Sequence, residues 1–138
     1  MADTLPSIVT FSVDLATQQP PEPLPVGDYR GTIRSANPKN SQAGKRYGEV
    51  AFFISSDQYP VDYKDGNPDG TTIMFRRISL EDTPQARYST RRFLEAIGAP
   101  LGKRIDLTEW AGREATVEVL HEEYEGVNRP IISRVRSL

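Results

Sequence analysis

The chain has 138 residues, 37% of them apolar and 26% charged, with 10 glycines and 11 prolines. That supports one domain with a real core, is short for two of ordinary size, and is too apolar for a disordered chain. It has no cysteine and one histidine, His121, which excludes a disulfide framework, thiolate chemistry and zinc sites built from Cys and His.

The net charge of −2 is unevenly spread. Residues 1–28 hold four acids (Asp3, Asp14, Glu22, Asp28) and no base, leaving 17 bases against 15 acids in the rest. A mildly basic body argues against indiscriminate wrapping of duplex DNA, which needs many phosphate contacts, but allows a local basic patch. No apolar run approaches 18 residues and the N-terminus shows no basic leader, so neither a membrane span nor a signal peptide is expected, and a cytosolic location is.

Four prolines in Gln18–Pro25 impose extended geometry and remove amide donors, so residues 1–25 read as an arm and 26–138 as the folded domain. Within the arm, Ile8–Val13 alternates well enough to predict a short strand that pairs with a sheet edge, its own or a neighbour's. Val26–Ala36 reads as the first domain strand, ended by a turn-rich Asn37–Gly44. Tyr47–Ser55 follows, with Val50, Phe52 and Ile54 on one face and Tyr47, Ala51 and Phe53 on the other. A polar loop over 57–70 leads to a third strand over Thr71–Ser79.

Thr83 before Pro84, with Gly98 and Pro100 beyond, predicts a helix from Pro84 to Ile97. Ala86, Thr90, Phe93, Leu94 and Ile97 form its buried stripe, and Arg87 and Arg91 a solvated basic face. Asp106–Glu109 has capping-box spacing and opens a short turn through Trp110, a core plug. Arg113–Leu120 and Pro130–Arg136 form a closing hairpin around Glu125-Gly126, the former burying Ala115, Val117 and Val119. The fold class is therefore mainly β: an OB-fold-like five-stranded barrel with one helix between strands 3 and 4 and an extended N-terminal arm.

Catalytic patterns are missing. Asp65–Gly70 matches the first half of a calcium loop, but the twelfth position, which needs a bidentate Glu, is Arg76, so a turn is the better reading. His121 has no nucleophile elbow to serve, the adjacent Glu122 and Glu123 face opposite ways in a strand, and no phosphate-binding glycine motif occurs. The chain reads as a binding protein and not an enzyme, with no cofactor and no metal.

Bases interleave with aromatics on the strands: Arg30 and Arg34 on the first, Lys45, Arg46, Tyr47 and Phe53 on the hairpin and second, Phe75, Arg76 and Arg77 on the third. Rings that stack bases beside cations that meet phosphates are what single-strand binding uses, at roughly 1–3 kcal/mol per stacked base. These nine residues are the candidate nucleic-acid site.

Pro23–Tyr29, Ser41–Gly44 ahead of Tyr47–Phe52, Phe93–Gly98, Gly112–Val119 and His121–Gly126 together resemble a phage-encoded family of OB-fold single-stranded-DNA-binding proteins, continuously from Phe11 to Val135. The resemblance implies a homo-oligomer that coats single-stranded DNA in phage replication or recombination, in the cytoplasm of the infected host. It supplies no catalytic residues. The sequence departs from many single-strand-binding proteins by ending Arg134-Val135-Arg136-Ser137-Leu138 in place of an acidic tail, which puts partner recruitment in doubt. The alternative is a phage structural protein, a capsid cement or decoration subunit found in the virion, with residues 1–25 contacting other phage proteins or neighbouring subunits by strand addition.

Overall fold

A computed structural model describes residues 6–138. Five strands, β1 (Gly27–Asn40), β2 (Arg46–Ile54), β3 (Thr71–Ser79), β4 (Glu114–Tyr124) and β5 (Val127–Arg136), form one antiparallel sheet in the order β3-β2-β1-β4-β5. A single helix, α1 (Pro84–Ile97), lies between β3 and β4 in sequence. The sheet is open. β3 and β5 are its edges and no ladder joins them, so the strand count and helix position are as expected while closure into a barrel is not seen.

Local chemistry accounts for the helix ends. The Thr83 hydroxyl accepts from the Ala86 amide, Pro84 fills the first turn, where no amide partner is lost, and Gly98 ends the helix in the left-handed region at φ 70°. Ala86, Phe93, Leu94 and Ile97 are buried as the stripe required, and Thr90 uses its hydroxyl to donate to the Ser79 carbonyl, tying α1 to the end of β3. Arg87 and Arg91 stay in solvent, each paired with an acid, Asp82 at 2.6 Å and Glu95 at 2.9 Å.

The core is aromatic at its centre. Phe52 of β2 meets Phe75 of β3 and Phe93 of α1 edge to face at 6.3 and 6.4 Å, Phe75 stacks on Phe93 at 5.9 Å, and Phe93 reaches Trp110 at 5.4 Å. Such pairs add roughly 0.5–1.5 kcal/mol each beyond their burial. Trp110 is 1% exposed, at the end of a short 3-10 turn (Leu107–Trp110) capped by Asp106. Gly112 N–H and Ile33 C=O, then Ile33 N–H and Arg113 C=O, continue the bonding of β1 past the point where β4 leaves it.

Three expectations change. β1 runs on to Asn40, through Pro38; β4 pairs only with Gly27–Thr32, so further along β1 is an edge, where a proline costs no ladder bond on the open side. The turn shrinks to Ser41–Lys45. No strand forms over residues 8–13: this part of the arm is irregular and exposed, and none of the ladders of the sheet includes it. The core also starts before residue 26, since Leu24 is fully buried. Residues 1–5 of the expected arm lie outside the described residues.

Trp110→Ala should cost about 3–5 kcal/mol in urea unfolding, because its cavity sits where helix and sheet meet. Tyr88→Ala, on the exposed side of α1, should stay within about 0.5 kcal/mol of the parent.

Candidate nucleic-acid interface

β2 sorts the candidates. Along it Gly48, Val50, Phe52 and Ile54 face the core, and the alternate positions Tyr47, Glu49, Ala51 and Phe53 lie on the other face, where Ala51 is buried and the other three are partly exposed. Flanking strands extend the outward set in rows: Thr32, Phe53 and Thr72; Ser35, Ala51 and Met74; Lys39, Tyr47 and Ser79. The result is one outer wall on β1, β2 and β3.

Two β-bulges load this wall with cations. In β1 the register slips between Ile33 and Ser35, so Arg34 is the extra residue. A bulge re-aims the side chain it carries, and Arg34 lays its guanidinium carbon 3.8 Å from the centroid of the Phe53 ring. In β3, Gly48 pairs with Ile78 and Val50 with Phe75, so Arg76 and Arg77 together oppose Glu49. Arg76 turns to the wall and donates to Glu49 at 2.7 Å, while Arg77 lines a groove on the other side, between β3, α1 and β5.

The Phe53 ring is fixed from beneath as well. A Cβ on Gly70 would lie 2.4 Å from the Phe53 ring carbons, and Gly70 holds φ at 100°, so the loop must pass there as glycine. The ring is thus half-buried, with a flat, exposed guanidinium stacked on it. A guanidinium plane held in this way has the chemistry to stack on another flat ring, as aromatic side chains do.

Not every candidate belongs to the wall. Phe75 is buried in the aromatic core and cannot stack a ligand: its alternation places it inward. Arg46 shares the parity of Gly48 and Val50, so it turns toward α1, beside Glu81, Asp82 and Arg87. Lys45 is exposed in the β1–β2 turn. Arg30 reaches the low end of the wall, in a small cleft with Phe53, but there Asp57 and Glu114 offset its charge. The wall therefore gathers Arg34, Tyr47, Phe53 and Arg76 and leaves Phe75, Arg46 and Arg77 elsewhere.

Lys39 belongs to it and was missed by sequence reading. The neighbouring Asn37-Pro38 reads as a turn, yet Lys39 pairs with Tyr47 across the ladder and lies close enough to Glu49 to help hold its carboxyl below the usual carboxylate range. The larger cause of that lowering is the hydrogen bond from Arg76. Glu49 is the acid set among the cations of the wall.

His121 has a structural task. Its Nε2 lies 2.8 Å from the Leu24 carbonyl, so it must carry a proton and donate. The Tyr29 hydroxyl donates to Pro25 C=O at 2.7 Å and the Glu22 amide to Asp65 at 2.7 Å. Together with buried Leu24 these bonds anchor the root of the arm, and burial pushes the Tyr29 phenol above its ordinary value. Asp65 is used there, and among the described residues no group of three His, Asp or Glu side chains gathers as a metal site. Among the same residues no helix is long and apolar enough to cross a membrane.

Compared with known proteins, the chain matches no family model and no curated protein sequence.

Because Glu49 has a lowered pKa in the fold, its pair with Arg76 stabilises the protein above the unfolded carboxylate pKa and is lost as pH falls through the folded value. Arg76 is 56% and Glu49 19% exposed, so solvent screening keeps the contribution small. Arg76→Ala should cost under about 1 kcal/mol in urea unfolding at neutral pH, and that difference should vanish in acid once Glu49 is protonated.

Proposed function

We propose that the chain is a single-stranded-DNA-binding module that holds DNA across the outer wall of β1–β3 without reading sequence. The observation that carries this is the Arg34–Phe53 stack lying on one wall with Tyr47, Lys39 and Arg76. Rings and guanidinium planes accept any base, and the three cations flank the path a backbone would take. The strand order, with its helix between β3 and β4 and its edges turned toward a shared groove, supports an OB-like, partly open barrel, a scaffold whose strand face suits oligonucleotides. Fold alone does not carry function, so the wall is the argument.

Glu49 tunes this surface. A phosphate arriving at Arg76 competes with the carboxylate, which limits affinity and favours release. On the same reading the protein serves phage replication or recombination in the host cytoplasm and needs no cofactor or catalytic group.

A second reading, a phage structural subunit, draws on one observation, the apolar arm standing in solvent. It places the protein in purified particles, and detection only in infected-cell lysate would remove it.

Fluorescence anisotropy with labelled oligothymidylate should show micromolar or tighter binding at low salt. Arg34→Ala, Lys39→Ala and Arg76→Ala should each flatten the log K against log salt slope by about 0.7. Phe53→Ala should weaken binding by roughly 1–3 kcal/mol, Glu49→Gln should tighten it, and Arg46→Ala, off the wall, should leave the slope alone. No binding at low salt in the micromolar range rejects the proposal.

A further inference from the structure

The arm carries an apolar row that its own domain leaves bare. Val9, Phe11, Val13 and Leu15 are each more than half exposed, as is Ile8 at 84%. They fall at every second residue, so an extended conformation brings Val9, Phe11 and Val13 onto one face, up to Leu15, which opens a short 3-10 turn (Leu15–Thr17). Exposed rows of this kind mark a contact surface.

A receiving surface exists on the same molecule. Between β3, α1 and β5 runs a groove of about 1000 Å³, floored by Phe75, Phe93 and Val135 and rimmed by arginines, among them Arg77, Arg92 and Arg134. Glu95 is the one acid in its lining. It opens along the two strand edges of the sheet, where backbone donors and acceptors stand unpaired by any ladder. Residues 1–26 have acids and no base. Apolar row, unpaired edge and opposite charge fit one another.

The row does not lie in the groove of its own domain: residues 8–15 are exposed and none of them lines it. The arm's root is fixed at Leu24 against His121 of β4, which pairs with Pro130 of β5, and the groove is lined further along that strand, from Ser133 to Ser137. Between that root and the apolar row lie Pro20, Pro21 and Pro23, which favour extended backbone, and a short 3-10 turn over Leu15–Thr17. The row is left bare by its own domain and is open to another.

We propose that the apolar row of one copy docks in the β3–α1–β5 groove of a second copy, so that copies join head to tail. Each copy then offers one arm and one groove, an arrangement that extends along a line and leaves the β1–β3 wall free. The claim stands whether or not that wall binds DNA.

The absence of natural cysteine permits a clean test. Val13→Cys and Ser137→Cys, both at exposed positions, are made as separate full-length proteins, mixed, and oxidised mildly; Ser137 lines the groove. Val61→Cys, 92% exposed in the loop before β3, replaces Ser137→Cys as the control. A mixed Val13→Cys/Ser137→Cys dimer, at least tenfold over the Val61→Cys control and suppressed by Phe11→Asp, is the expected result. Equal cross-linking to the control overturns the proposal. So does a disulfide formed only inside a chain carrying both substitutions, which would mean docking within one molecule. Protection of the Ser137→Cys thiol from alkylation by oligothymidylate, with no protection at rising protein concentration, would assign the groove to nucleic acid and overturn it as well.

Discussion

The in-and-out alternation of β2 is the constraint on which both the core and the wall rest. Phe52 points inward to Phe75 and Phe93, and Phe53, one residue on, points outward to Arg34. Because the side-chain period is two, a slip of one residue would put Phe53, Ala51 and Glu49 into the core and Phe52 and Val50 into water. Burial of Val50, Phe52 and Ile54 thus fixes the register, and the register fixes what the outer surface offers. The outer surface is a consequence of the packing and adds little cost of its own.

Bulges convert that regular surface into a site. Arg34 in β1, the Arg76-Arg77 step in β3 and the slip between Glu118 and Val119 opposite β5 each interrupt a ladder. Bulges bend and twist the strand that holds them, which turns the sheet edges toward one groove over α1 and leaves them unpaired. The same bulge that curls β3 sends Arg76 to the wall and Arg77 to the groove, so curvature and charge placement share one cause. The Gly70 crossing under Phe53 and the Arg34 plane above it keep the ring from moving when a ligand arrives.

Much of the fold was legible because its signals are local. Thr83-Pro84 and Gly98 bound the helix as predicted, and Glu125-Gly126, both at positive φ, make the tight turn of the last hairpin. Ala115, Val117 and Val119 alternate into the core as their spacing required. What was not legible depended on pairing. Pro38 reads as a turn unless β4 is known to have left β1 by then, and with it Lys39 was lost from the site. Ile8–Val13 has the pattern of a strand, but a pattern needs a partner strand, and this segment is in no ladder. Phe75 and Arg77 could be assigned to core and groove only once the bulge opposite Glu49 was located. Composition pointed to residue types, while register decided which of them share the wall.

The most direct test is a nitrogen-15 NMR titration of the full chain with short oligothymidylate at low salt. Shifts concentrated on Arg34, Lys39, Tyr47, Phe53, Met74 and Arg76, with the core amides of Val50 and Val117 quiet, are the predicted result. Shifts confined to the α1 side of the sheet, or no shifts at saturating oligonucleotide, would contradict the account of the outer wall.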